Sequence, residues 1–122
     1  MIYIDGLKNI VEGGMIFISV DDFYKFANEA KRISREEEKM YATKMLQGDS
    51  EARKNIVYGY YYFVASKVKR CPPELQTLHV VYQCIDVLEK EVDKFDFMQD
   101  NYTFIHHLSK AIRLRMIRCL VK

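Results

Sequence analysis

The sequence predicts an all-α fold, a compact bundle of four to five helices (19–122) behind a short N-terminal arm (1–18). Three observations carry that expectation. From Ser19 onward apolar residues recur at steps of three and four, the spacing that gathers them on one helix face. Residues suited to capping stand at the borders of those periodic stretches. Glycines Gly6, Gly13 and Gly14 lie among branched residues such as Ile2, Ile4, Ile10 and Val11, so signals for extended chain are confined to the arm, as short extended pieces or a loosely docked segment.

The elements follow in order. Ser19 is a cap candidate, Asp21 and Asp22 suit a first turn, and Phe23, Phe26, Ala27 and Ala30 give helical spacing up to about Arg32. Ser34 followed by Glu37 is the capping-box pattern, in which hydroxyl and carboxylate each satisfy a free amide, so a second helix starts there. It runs to Gln47-Gly48, where glycine permits a left-handed close, and Asp49 can cap the next helix. A third helix is expected from about Ser50 to Arg70, its apolar face formed by Ala52, Ile56, Val57, Tyr60, Phe63, Val64 and Val68. Cys71-Pro72-Pro73 ends it, because neither proline supplies an amide hydrogen. Leu75, Leu78, Val81, Tyr82, Ile85, Leu88 and Val92 form the clearest stripe of the chain and predict a fourth helix from about Glu74 to Val92. After a turn at Asp96 to Asn101, Tyr102 to Leu120 reads as a last helix with Ile105, Leu108, Ile112 and Leu120 facing inward.

A chain of 122 residues with 49% hydrophobic and 30% charged composition is one globular domain, and composition excludes disordered and collagen-like classes. Cys71, Cys84 and Cys119 are odd in number and widely spaced, so neither a closed disulfide set nor a CxxC pair is expected; a reducing, cytoplasmic compartment fits. The apolar run Met15 to Ile18 is far below the about 20 residues that span a bilayer, and no membrane partner is expected. The sequence carries no Gly-rich phosphate loop, HExxH, GxSxG or paired metal motif, so neither catalysis nor a cofactor or small-molecule substrate is expected. Adjacent His106 and His107 point about 100° apart on a helix and do not readily share a metal ion. Consecutive aromatics Tyr58 to Phe63 splay around the axis in the same way, and fit a core better than a stacking platform.

Charge is distributed unevenly under a net of only +2. Between Glu74 and Asp100 seven acids face two bases, whereas Asn101 to Lys122 holds five bases (Lys110, Arg113, Arg115, Arg118, Lys122) and no acid. Arg115, Arg118 and Lys122 share one face by steps of three and four, and Lys110 and Arg113 begin a neighbouring one. Such a helix can contact phosphates; the alternative is a solvated basic face paired with the acidic helix before it.

Four fragments occur in a fixed order: Ser34-Arg35-Glu36-Glu37-Glu38-Lys39, Gln47-Gly48-Asp49-Ser50-Glu51-Ala52-Arg53, Val64-Ala65-Ser66-Lys67-Val68-Lys69-Arg70 and Val92-Asp93-Lys94-Phe95-Asp96. In order and spacing they resemble domain two of the sigma-seventy family, the promoter-specificity factors of bacterial RNA polymerase, with the sporulation-type members nearest at Glu36 to Met45. The resemblance implies docking on the clamp coiled coil of the polymerase largest subunit, or on a sigma partner. It also implies contact with promoter minus-ten DNA. Where the family carries Asp-Leu-Ile-Gln-Glu-Gly for docking, this chain has His79-Val80-Val81-Tyr82-Gln83-Cys84, leaving His79, Tyr82, Gln83 and Asp86 as the partner-binding candidates. Where the family melts promoter DNA with Phe-Arg-Phe-Ser-Thr-Tyr-Ala-x-Trp-Trp-Ile-Arg, Tyr102-Thr103-Phe104 and Ile112-Arg113 match the two ends if one residue is inserted. Its tryptophans fall at Lys110 and Ala111. The resemblance thus implies base stacking by Tyr102, Phe104, His106 and His107, with Lys110, Arg113, Arg115 and Arg118 on phosphates. The promoter-reading helix-turn-helix domain of the family has no counterpart in these residues. The expected function is a sigma-like transcription protein; the rival is a helical protein-interaction module that regulates transcription without touching DNA.

Overall fold

A computed structural model describes residues 10, 11, 14, 15 and 17–120. The remainder of the predicted arm, and Lys122 of the predicted basic face, lie outside the described residues. Within the arm, β1 (Ile10–Val11) pairs antiparallel with β2 (Gly14–Met15), Ile10 opposite Met15 and Val11 opposite Gly14.

The rest is all-α. Helix α1 (Val20–Glu29) starts at Ser19, whose hydroxyl accepts the Asp22 amide at 3.1 Å. It stops short of the expected Arg32 because Ala30 turns extended and leads the chain over Gly59. A side chain on Gly59 would bring its first carbon to 3.2 Å from two carbons of Ile33, so the crossing is close and a larger residue there would have to displace the Ile33 side chain. Helix α2 (Arg35–Leu46) carries the predicted capping box: Ser34 Oγ accepts the Glu37 amide at 3.1 Å and Glu37 Oε1 accepts the Ser34 amide at 2.9 Å. Gly48, with φ of +94°, closes the turn in the left-handed region that favours glycine. Asp49 Oδ1 then accepts the amides of Glu51 and Ala52 and caps the next helix.

That helix is not continuous. It is divided into α3 (Ser50–Gly59) and α4 (Tyr61–Lys69), so among the described residues there are six α-helices, or five if the broken one is counted once. At the break Tyr60 has φ of −107° and ψ of 4°, its amide bonds to the Val57 carbonyl in a tighter turn, and its hydroxyl donates to Glu38 on α2. After a 3₁₀ turn at Pro73–Leu75, α5 (Leu78–Lys94) begins four residues later than expected. Thr77 sets that start by accepting the Val80 amide. Helix α6 (Phe104–Leu120) likewise starts two residues late, at the Thr103 hydroxyl that accepts the His106 amide.

Helix α5 lies at the centre and packs against α3, α4 and α6, while α2 covers α3 and α1 covers α4. Val81, Leu88 and Val92 of α5 are fully buried with Ile56, Val64, Val68, Leu108 and Ile112. Each such side chain stabilises the fold by about 1.5–3 kcal/mol. Cys84 sits among them, and burial pushes its thiol up to about 12, so it remains a protonated, apolar filler. Of the aromatic run, Tyr60 and Tyr61 are buried and Tyr58, Tyr62 and Phe63 half-buried, in keeping with the core reading. Among the described residues no helix is long and apolar enough to cross a membrane.

Candidate nucleic-acid interface

Helix α6 runs back along α5 and has two chemically different sides. Inward, Phe104, Leu108 and Ile112 step by four into the core. Outward, His106, Lys110 and Arg113 are exposed and lie within about 60° of one another at 100° per residue. Tyr102, half-buried just before the helix, continues that stripe: its ring meets the His106 ring edge-on at 5.3 Å, and the Lys110 ammonium lies 5.5 Å from its centroid. Among the described residues neither Lys110 nor Arg113 has a carboxylate partner, which leaves both cations available to an anion.

The other candidates are placed elsewhere, and each placement has a physical cause. Phe104 is 0% exposed, with the rings of Tyr60 and Phe97 both 5.0 Å away. It belongs to the core and presents no face to a base. His107 turns toward α5, where Nε2 lies 2.7 Å from Glu91 Oε1 and its ring contacts Phe95. Arg115 fastens α6 to α5: its guanidinium donates to Gln83 Oε1 at 2.8 Å and to Asp86 Oδ2 at 3.1 Å. The intramolecular pairing left open by the sequence is therefore made by Arg115, whereas Lys110 and Arg113 have no carboxylate partner among the described residues. Arg118 is exposed and lines a cleft of about 410 Å³ with His79, Gln83, Asp86 and Lys90, away from the stripe.

The docking candidates are similarly divided. His79 is exposed. Tyr82 is half-buried and anchors the arm: its hydroxyl accepts the Phe17 amide at 2.6 Å, and its ring stacks on that of Phe17 at 6.3 Å. Gln83 and Asp86 are held by Arg115, with Lys90 also 3.2 Å from Asp86. Burial pushes the Asp86 carboxyl up, but the hydrogen bonds from Lys90 and Arg115 outweigh it and hold the group below its ordinary value of 3.8. A carboxyl group depressed by folding stabilises the fold above its unfolded pKa and loses that contribution as pH falls through the folded value. Asp86→Asn is therefore expected to lower stability at neutral pH and to flatten the acid limb below about pH 4, measured by urea denaturation from about pH 7 to 3.

A second basic surface escaped the sequence reading. Between α1 and α4 a groove of about 520 Å³ is lined by Tyr24, Asn28, Arg32, Tyr62, Ser66 and Lys69. The signal that could have found it is the stretch Ala52 to Pro73, which holds Arg53, Lys54, Lys67, Lys69 and Arg70 and no acid. Among the described residues no three His, Cys, Asp or Glu side chains converge to hold a metal ion. No family model, no curated protein and no solved structure matches this chain.

Proposed function

We propose that this chain is a sigma-like transcription protein that binds single-stranded promoter DNA through the outer stripe of α6 while docked on RNA polymerase or a sigma partner. The observation that carries it is the alignment of Tyr102, His106, Lys110 and Arg113 on one exposed side, rings and unpaired cations interleaved. Stacking on rings with phosphate contact from neighbouring cations is how single strands are held without base-edge readout. The four collinear fragments support the transcriptional assignment, and exposed His79 at the rim of the α5 cleft supports a docking contact there.

Fluorescence anisotropy with a labelled single-stranded oligonucleotide tests the stripe. The double variant Lys110→Ala/Arg113→Ala is expected to bind about tenfold more weakly and to show a salt slope smaller by about 0.7 per contact removed. Equal affinity and slope for variant and parent would remove the stripe from the interface.

One observation favours a second reading, a protein-interaction module that leaves DNA alone. Leu114, Ile117 and Leu120 are 62%, 50% and 61% exposed, Leu120 against the inward placement expected from its spacing, and they form an apolar edge beside the basic stripe. An apolar edge rimmed by charge suits a protein partner. Retention on core RNA polymerase with no oligonucleotide binding is the result that distinguishes it.

A further inference from the structure

We infer that the groove between α1 and α4 is a nucleotide site, separate from the α6 stripe, that takes a phosphate on Arg32, Lys69 and Arg70 and a flat base against the Arg32–Tyr62 pair. Three features lead there. First, the groove collects cations without neutralising them. Among the described residues Arg32, Lys69 and Arg70 make no ion pair, and the groove lining includes no acid. Where an acid stands near, cations of the bundle do pair, as Arg53 does with Asp93 at 2.7 Å and Lys39 with Asp100 at 2.8 Å.

Second, two of those cations rest on rings. The Arg32 guanidinium carbon lies 4.0 Å from the Tyr62 centroid, and Lys69 Nζ 4.8 Å from that of Tyr24. Cation–π contact positions a charge without cancelling it, so each remains available to an anion. A guanidinium supported on one face by an aromatic ring also offers its other face to a planar base, a mode of stacking that a lysine cannot supply.

Third, the size and polar equipment fit. A volume of about 520 Å³ lies inside the range of small-ligand pockets, about 300–1,000 Å³. The Asn28 amide and the Ser66 hydroxyl line the same groove and supply donors and acceptors for a base edge or sugar. The shared chemistry is a phosphate joined to a flat heterocycle, which either a free nucleotide or one unit of a single strand provides.

Isothermal titration calorimetry on the full chain with AMP, inorganic phosphate and a single-stranded pentanucleotide tests this. The site predicts that AMP or the pentanucleotide binds, and that inorganic phosphate binds at least about tenfold more weakly because it lacks the stacking partner. Arg32→Ala/Lys69→Ala should weaken the binding ligand about tenfold, while Lys110→Ala/Arg113→Ala leaves AMP affinity unchanged. Arg32→Lys, which keeps the charge and loses the plane, should also weaken AMP. Binding of AMP identifies a free nucleotide as ligand, and binding of the pentanucleotide alone, measured in the Lys110→Ala/Arg113→Ala background and weakened about tenfold by adding Arg32→Ala/Lys69→Ala, identifies a strand. Absence of binding by both, equal binding of phosphate and AMP, or affinities unmoved by Arg32→Ala/Lys69→Ala in a variant with parental circular dichroism would each overturn the site. Because AMP reads the groove and the α6 variants read the stripe, failure of one leaves the other standing.

Discussion

Phe104→Ala is expected to destabilise the protein by about 3–5 kcal/mol, the cost of emptying an aromatic-sized space in a packed core. Phe104 is fully buried, and its ring is met edge-on by Tyr60 and Phe95 and at a tilt by Phe97. Because a domain of this size is held by about 5–15 kcal/mol, the loss takes a large share of its stability and lowers Tm by about 10 °C or more. Tyr102→Ala two residues earlier should change stability by less than about 1 kcal/mol and weaken oligonucleotide binding instead. Thermal melting of both variants beside anisotropy checks the contrast. A Phe104→Ala protein that melts like the parent but loses DNA binding would restore Phe104 to the stacking set.

Tyr60→Phe is expected to cost about 1–3 kcal/mol, because it removes the hydroxyl that donates to a carboxyl group sealed from water. Glu38 is 3% exposed and receives hydrogen bonds from Tyr60 and, at 3.4 Å, from Arg35. Burial, reinforced by the hydrogen bond to Glu38, drives the Tyr60 phenol far above its ordinary value, so it stays a proton donor across the accessible pH range. Removing both polar groups relieves the penalty: Glu38→Leu/Tyr60→Phe should be less destabilised than the two single variants added together. Urea denaturation of the three variants measures that coupling. Strict additivity would show that the two groups contribute separately.

The features legible in the sequence are those that local chemistry decides. The Ser34 and Glu37 capping box, the left-handed Gly48, the Asp49 cap and the buried stripe of α5 are each fixed within a few residues of chain. The break at Tyr60 is not, because it depends on Ile33 crossing Gly59 and on a hydrogen bond to Glu38, 22 residues away. The late starts of α5 and α6 come from Thr77 and Thr103, ordinary residues that become caps only once the preceding turn has formed. At the site, periodicity correctly set basic residues on α6 but not which of them meets α5. Arg115 and Lys110 are five apart, and only packing decides that the first is a fastener and the second is free of carboxylates. The α1–α4 groove was harder still, since Arg32 and Lys69 come together only after two helices have docked.

The pairing pattern has a consequence for how this molecule meets others. Several of its acids are engaged in ion pairs within the chain: Asp86 with Arg115 and Lys90, Glu91 with His107, Asp93 with Arg53, Asp100 with Lys39. Among the described residues, cations without such partners include Lys110, Arg113 and Arg118 on α6 and Arg32, Lys69 and Arg70 along the α1–α4 groove, besides scattered lysines such as Lys25, Lys44, Lys54 and Lys94. A nearly neutral protein arranged this way has little long-range attraction for polyanions in general, yet its near field has a direction. Under the proposed function, a strand that drifts to within about 8 Å, the screening length at physiological salt, would be turned toward those two surfaces before it touches either. The small net charge of +2 therefore limits unspecific adhesion, while its uneven placement sets the orientation of the encounter.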